Sequence, residues 1–283
     1  MTPPSADKFV DGIATSHDDE FFGSPARAAL MKRSRHLWSL LHDNPRFSYY
    51  GRAVALAEPD ADTVEIVSAL ARIQGATICN YYPSAQAAEL QANLSALGFM
   101  TDRHEHFRGA DDAYAASLAI DRATPLPDDL TMVAIDPNTP HETVAGIAAL
   151  CQSCDVMPVP GQAMRGQVRP GICLAAIDRT GKPVATASSF LPHHASSPHA
   201  TDAFWGMLAT HPDRRGERIA LLLGARAIIH LWERHGARGF ITGVRAENQQ
   251  SAAICRKLKV EPTAWIYAHC IDVALYGEKS ITK

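Results

Sequence analysis

The stretch from Phe204 to Val260 holds the residues whose types and spacing could do chemistry: FWGMLATHPDRRGERIALLLGARAIIHLWERHGARGFITGVRAENQQSAAICRKLKV. It reads as a buried strand ending in a Pro-Asp turn, with Arg214, Arg215 and Arg218 at the opening of a long helix. A helix start leaves unpaired N–H groups and the positive end of the helix dipole, which together attract anions. The arginines add formal charge at the same place, so a phosphate-bearing ligand is the expected guest. First-turn arginines are also common on plain solvated surface, and that reading stays open on these residues alone.

Here the sequence resembles the GNAT superfamily of N-acetyltransferases. Their signature is a strand ending in a Val-x-Pro-like turn, then Arg/Gln-x-x-Gly-x-Gly/Ala opening a helix, and later Asn-x-x-Ala-x-x-x-Tyr-x-Lys-x-Gly-Phe. This chain has Thr210-His-Pro212, Arg215-x-x-Arg218-x-Ala220, and Asn248 followed by Cys255, Lys257, Lys259 and Val260. The likeness covers the element order of about 130–275 and is motif-specific over 205–260.

The resemblance implies acetyl-CoA or another acyl-CoA as co-substrate, with no metal. The backbone of Arg215, Gly216, Glu217, Arg218, Ile219, Ala220 and Leu221 would cradle the pyrophosphate. Leu208, Ala209 and Thr210 would pair with the pantetheine arm as an added strand does, and Asn248 would join the cofactor site. One N–H of that strand would polarise the thioester carbonyl. The strands on either side of that point are expected to splay, opening a cleft for thioester and amine. Two departures bear on this. Arg218 stands where the signature has its first glycine, and Cys255 stands where it has the tyrosine acid.

Cys255 is therefore the expected acid toward the leaving thiolate, although a small apolar residue on a buried helix face reads equally well. Tyr267, on the last predicted strand, is a substitute acid without a place in the sequence reading. Glu247 is the expected base for the acceptor ammonium; its alternative is an exposed loop carboxylate. His193, His194 and His199 form a further set, but their spacing lacks a fourth ligand and fits no common zinc pattern. Cys151 and Cys154 sit inside a helix pattern with Ile147 and Leu150, where core packing is the better account.

The elements that must position these residues divide at Asp121–Leu130, a Pro- and Asp-rich linker. This gives 1–123 and 124–283, both of ordinary domain size. The first part opens with a polar tail to about residue 22, expected to be mobile. It continues as a helix capped by Ser24-Pro25, an extended run from Phe47 to Leu56, a helix ending at Gly75, strand ATICNYY, a helix and strand FMTDRHEHF. The second part reads β-α-β-β-β-α-β-α-β, its long helix running from about Arg215 to Arg234. The expected fold is α/β (α+β): a GNAT-like mixed, mainly antiparallel sheet flanked by helices, preceded by a second α/β domain.

A faint repeat links the two parts. Gly75 and Gly98 are 23 positions apart, as are Gly236 and Lys259, and each pair brackets a strand and a helix. The first part is thus read as a degenerate GNAT-like domain in tandem or as an unrelated α/β domain. It lacks an arginine-rich turn, so it should not hold CoA; its expected role is to shape the acceptor cleft or contact a protein.

With 27 Lys+Arg against 30 Asp+Glu in 283 residues, no nucleic-acid partner or polybasic anchor is expected. The opening segment lacks the basic and apolar regions of a secretory signal, and no apolar run is long enough for a bilayer. Six cysteines in a chain of this length are too few for a disulfide scaffold, so a cytoplasmic protein with reduced thiols is expected. The whole points to transfer of an acyl group from CoA to a small-molecule or peptide amine, with a homodimer allowed. Two rivals remain: a catalytically silent acyl-CoA-binding sensor or interaction module, and a metal-dependent hydrolase built on the histidine loop. Specificity should lie in loops 155–170 and 191–202.

Overall fold

The computed structural model describes residues 20–278 and 281. Most of the polar opening tail lies outside the described residues, but Glu20 corrects its expected extent. Glu20 is buried, and its carboxylate is held by Arg165 (2.8 and 3.1 Å) and by His141 (2.9 Å). From that residue on, the chain is docked.

Helix α1 (Pro25–Leu41) starts where Ser24 Oγ accepts from the Arg27 N–H. The run Phe47–Leu56, expected as one extended piece, instead forms two short strands, β1 (Phe47–Ser48) and β2 (Ala55–Leu56), paired with each other. Gly51, at φ +117°, breaks it; a Cβ there would come within 2.9 Å of Ala163 and Pro160. Next come α2 (Thr63–Gln74), stopped by Gly75, β3 (Ala76–Pro83), α3 (Ala87–Ala96) and β4 (Met100–Gly109).

Helix α4 (Asp111–Ala123) takes up the first three residues of the expected linker. The second part follows the expected order: β5 (Leu130–Ala134), α5 (His141–Ser153), a short α6 (Gly161–Met164), β6 (Gly171–Asp178), β7 (Pro183–Phe190) and β8 (Asp202–Thr210). It ends with α7 (Ile219–His235), β9 (Gly239–Val244), α8 (Gln249–Lys257), β10 (Glu261–Ile271) and α9 (Val273–Tyr276). Helix α7 begins four residues later than expected. Pro212–Arg214 form a separate 3₁₀ turn, and Arg218 takes the left-handed conformation (φ +61°) just before the helix.

The ten strands form one sheet, in the order β1-β2-β3-β10-β4-β9-β8-β7-β6-β5. Among the described strands, only β2–β3 and β8–β9 run parallel. The centre of the sheet is a reciprocal exchange. β4 follows β3 and α3 in the chain, yet it pairs with β9 and β10; β10 follows β9 and α8, yet it pairs with β3 and β4. The two halves are therefore laced together by hydrogen bonds that neither makes within itself. The repeat falls on matching places: Gly75 and Gly236 end α2 and α7, and Gly98 (φ +85°) and Lys259 (φ +57°) both turn left-handed before β4 and β10.

Helix α7 is buried on most of its circumference, which explains its nearly unbroken apolar run. One side lies on the sheet, where Gly224 admits Trp205: a Cβ there would come 2.8 Å from the indole, which donates to the Gly224 carbonyl at 3.0 Å. On the other side α4 closes over it, with Tyr114 stacked on Trp232 (4.7 Å) and Asp121 paired to Arg226 (2.5 Å). The exchange is tied by Asp202 of β8, a buried carboxylate bonded by Arg108 of β4 (2.8 and 3.0 Å) and Tyr81 of β3 (2.9 Å).

Candidate active site

Strand β8 parts from β9 soon after it meets it. Their parallel pairing covers Asp202↔Gly239, Ala203↔Phe240 and Phe204↔Ile241, and then ends. Beyond that point β8 keeps its other partner, β7, but with an irregularity: Thr186 faces Ala209 and Ser188 faces Gly206, so Ala187 stands opposite both Met207 and Leu208. Met207 sits at φ +53° in this bulge. A bulge turns backbone groups out of the ladder, and here it does so where the neighbouring strand has withdrawn. A cavity of about 590 Å³ fills the gap.

The cavity is lined by Leu208, Ala209, Thr210, Arg215, Gly216, Arg218, Ile219, Ala220, Leu221, Asn248 and Cys255. Of the residues expected as cofactor cradle, acid and base, only Glu217 and Glu247 are missing from the lining. At the α7 entrance the side chain of Arg218 makes no capping hydrogen bond. The N–H groups of Ile219, Ala220 and Leu221 belong to the first turn, which has no preceding carbonyls to bond. Gly216 (φ +89°) and Arg218 are left-handed on either side of Glu217, which curls the turn into a concave run of amides. Ala220 keeps the surface beside it low.

The arginine cluster is smaller than its sequence suggests. Arg214 is spent on Asp129 (2.7 Å) and Glu217 (2.7 Å). Arg215 and Arg218 are exposed and have no ion-pair partner among the described residues, so they are the free cations of this turn. Glu217 does not line the cavity; its carboxylate faces Arg214. Asn248 Oδ1 accepts from the Ser251 N–H at 3.1 Å and so caps α8 at the cavity wall.

Cys255 is in place but chemically subdued. Burial pushes its thiol up to about 12, well above the ordinary thiol value near 8.5. It remains a neutral thiol and holds its proton more tightly than a free thiol would. Glu247 stands outside the cavity, 73% exposed and 3.7 Å from Arg245. That is the exposed loop carboxylate of the alternative reading.

The cavity is also furnished by residues that no motif marks, together with Tyr267, the substitute acid of the sequence. Ser48, Tyr50, Arg52, Asn80 and His104 come from the first part of the chain, and Tyr267 and His269 from β10. Tyr267 and His104 lie against Gly243 of β9, where a Cβ would come 3.1 Å from each. The Tyr267 hydroxyl and both ring nitrogens of His269 are buried without a hydrogen-bond partner. The rings of His104 and His269 are 4.5 Å apart. Burial lowers both histidines, His104 to about 4 and His269 well below its ordinary value, so both are neutral at pH 7. No local pattern marks them, because they become neighbours only through the strand exchange. Loop residues Val156, Met157 and Pro192 also reach the cavity, from the two loops expected to set specificity.

The histidine loop is differently engaged. His199 meets Glu58 at 2.8 Å and stacks on Tyr81 at 3.6 Å, and His193 is buried. Among the described residues, no group of three or more His, Cys, Asp or Glu is placed to hold a metal ion. All six cysteines are free and buried, Cys151 and Cys154 within the core around α5. No helix among the described residues is long and apolar enough to cross a membrane.

Solved structures with this architecture include a GCN5-related N-acetyltransferase from Kribbella flavida. It superposes with a TM-score of 0.53 at 16% identity, over 86% of this chain and 95% of that one. A tandem GNAT protein from the clavulanic acid biosynthesis pathway gives a TM-score of 0.51 at 18% identity, over 75% of this chain and 67% of its own. The fold is that of the GCN5-related N-acetyltransferases. A GCN5-related N-acetyltransferase-like protein from Streptococcus suis agrees, with a TM-score of 0.51 at 16% identity over 80% of this chain and 82% of that one. At such identities the likeness is one of fold. Neither a family model nor a curated protein matches the sequence.

Proposed function

We propose that the protein is an acetyl-CoA-dependent N-acyltransferase, moving an acyl group directly from CoA to the amine of a small-molecule or peptide acceptor. One observation carries this reading. A bulged strand that leaves its neighbour, and a helix entrance with uncommitted N–H groups and two unpaired arginines, open on the same cavity. The amides of Gly216–Leu221 hold the pyrophosphate, that of Arg215 being given to the Pro212 carbonyl at 3.2 Å, and the side chains of Arg215 and Arg218 pair with its oxygens. Leu208–Thr210 add the pantetheine arm as a strand, and a bulge amide near Met207 polarises the thioester carbonyl.

In the transfer the amine nitrogen bonds to the acyl carbon and the carbon–sulfur bond breaks. The nitrogen gives up one proton and the sulfur takes one. His269, with His104 beside it, is the acceptor for the first as the nitrogen turns acidic on bonding to carbon: its residue lines the cavity, and its neutral ring has one lone pair without a hydrogen-bond partner. The Tyr267 hydroxyl is a donor without a partner and stabilises the departing sulfur, while water completes its protonation. Cys255 stays a neutral wall residue, and Glu247 has no part in the transfer.

The first part of the chain is read as a degenerate copy of the same fold. The reciprocal exchange and the matched left-handed residues Gly98 and Lys259 support this. So does its own parallel pair, β2–β3, held by the single contact Leu56↔Cys79. Where the second part has arginines before α7, the first has Glu58, Asp60 and Asp62 before α2, which repel phosphate. It keeps its fold but serves as the acceptor wall. Free buried thiols suit a cytoplasmic setting.

The burial of Cys255 and the Arg218 substitution favour a second reading, a silent acyl-CoA-binding module. Release of free CoA thiol from acetyl-CoA with a panel of amines separates the two. Turnover that falls about a hundredfold in His269→Ala, with CoA affinity unchanged, is the expected result. Binding without any amine-dependent release would favour the silent module.

A further inference from the structure

Among the described residues, Arg52 is a buried cation with no counter-ion. It is 6% exposed and lines the cavity. One of its terminal nitrogens donates to the Met157 carbonyl, and its Nε is buried with no partner. Its other neighbours are the rings of Tyr50 (5.7 Å) and Phe204 (5.6 Å), themselves stacked at 4.2 Å. No described carboxylate forms an ion pair with it, whereas the comparably buried Arg165 is matched to Glu20. A buried charge without a partner is costly. Arginine also presents a planar fork suited to a carboxylate.

Its place along β8 separates it from the phosphate site. Phe204 is six residues before Thr210, about 20 Å along an extended strand, with the Met207 bulge between them. The phosphates belong at the Thr210 end, beside α7, and Arg52 belongs past the thioester, where the acceptor enters. Its position is firmly set, because Gly51 lets the chain press against Ala163 and Pro160. Ser48 and Asn80, bonded to each other at 2.9 Å, furnish the same end of the cavity.

We propose that the acceptor is an amino acid, its carboxylate bound by Arg52 while its amine faces the thioester. This rests on the acyltransferase reading for what happens to the amine, but not for the binding itself. The test is calorimetric titration of the proteinogenic amino acids and their carboxamides, at saturating CoA, into the wild type, Arg52→Met and Arg52→Lys. At least one amino acid is expected to bind the wild type tenfold or more tightly than its own carboxamide. Arg52→Met should bring the two to parity, and Arg52→Lys should keep part of the preference. Equal binding of every acid and its amide by the wild type, or a preference that survives in Arg52→Met, would overturn the proposal. The wild-type comparison decides even if a variant folds poorly. A chain that turns over no amine would defeat the acyltransferase reading and leave this discrimination measurable.

Discussion

Reversing both free cations at the α7 entrance, Arg215→Glu with Arg218→Glu, is expected to weaken acetyl-CoA binding about a thousandfold. A hydrogen bond to a charged group contributes about 1.5–3 kcal/mol, and two lost together amount to about 3–6 kcal/mol before repulsion is added; each 1.4 kcal/mol is tenfold in affinity. Both side chains are exposed and unpaired, so the unliganded melting temperature should hardly move. The same reversal at Arg214 should behave differently. It would set a carboxylate against Asp129 and Glu217, disturbing the turn as well as the ligand. Calorimetric titration of the double variant with acetyl-CoA checks this. An affinity within a few fold of the wild type would place the phosphates elsewhere.

Acid should unfold the protein well before its carboxylates titrate. Burial lowers His104 and His106 to about 4 and His193 to about 3, and it lowers His269 well below its ordinary value. In the unfolded chain all four titrate near 6.5. Between about pH 6.5 and 4 the unfolded state therefore binds protons that the native state refuses, and native stability falls as pH falls. Each such group contributes about 1.4 kcal/mol per pH unit, so four together approach about 5 kcal/mol per unit, a large share of a typical stability of about 5–15 kcal/mol.

Two neighbours follow different rules. Burial opposes the charge on His199, but its hydrogen bonds to Asp202 and Glu58 raise its pKa, so its contribution is full below about 6.5 and is lost as pH rises. Burial likewise opposes the Asp202 carboxylate, yet bonds from His199, Arg108 and Tyr81 hold it well below the usual range. Its contribution is complete above about 3.9 and is lost only in stronger acid. Urea midpoints at pH 7.5, 6.5 and 5.5 read the effect: a steep fall across the last interval is expected, and a flat profile would mean that the histidines are solvated.

The half of the cavity proposed for the cofactor is legible in the sequence because it is local. The strand, turn, helix and Asn248 cap of 204–260 are each fixed by neighbours within a few residues. What escaped the reading depends on distant pairings. Arg214 is neutralised by Asp129, 85 positions away, and Glu20 is anchored by Arg165, 145 away. Helix α4 has a weak pattern, its buried face made of Ala113 and Ser117, because it packs flat on α7 rather than driving a core itself. The acceptor end was the least legible. It exists only because β4 and β10 exchange places, which brings His104 to His269 and both into the cavity that Arg52 lines. Phe47–Leu56 departs from a single strand for a related reason: its aromatic residues are apolar enough for one, but Gly51 turns left-handed and leaves Tyr50 and Arg52 in the cavity wall.

The cavity between β8 and β9 is proposed to bind an acyl-CoA. The most direct test is the melting temperature of the intact chain with and without acetyl-CoA. A ligand bound only by the native state, at a hundredfold excess over its Kd, adds about 2.7 kcal/mol, which for a chain of this size raises the melting temperature by roughly 5 °C. A rise of that order at millimolar acetyl-CoA, abolished in the Arg215→Glu/Arg218→Glu variant, is the predicted result. An unchanged melting temperature for the wild type at millimolar acetyl-CoA would contradict it.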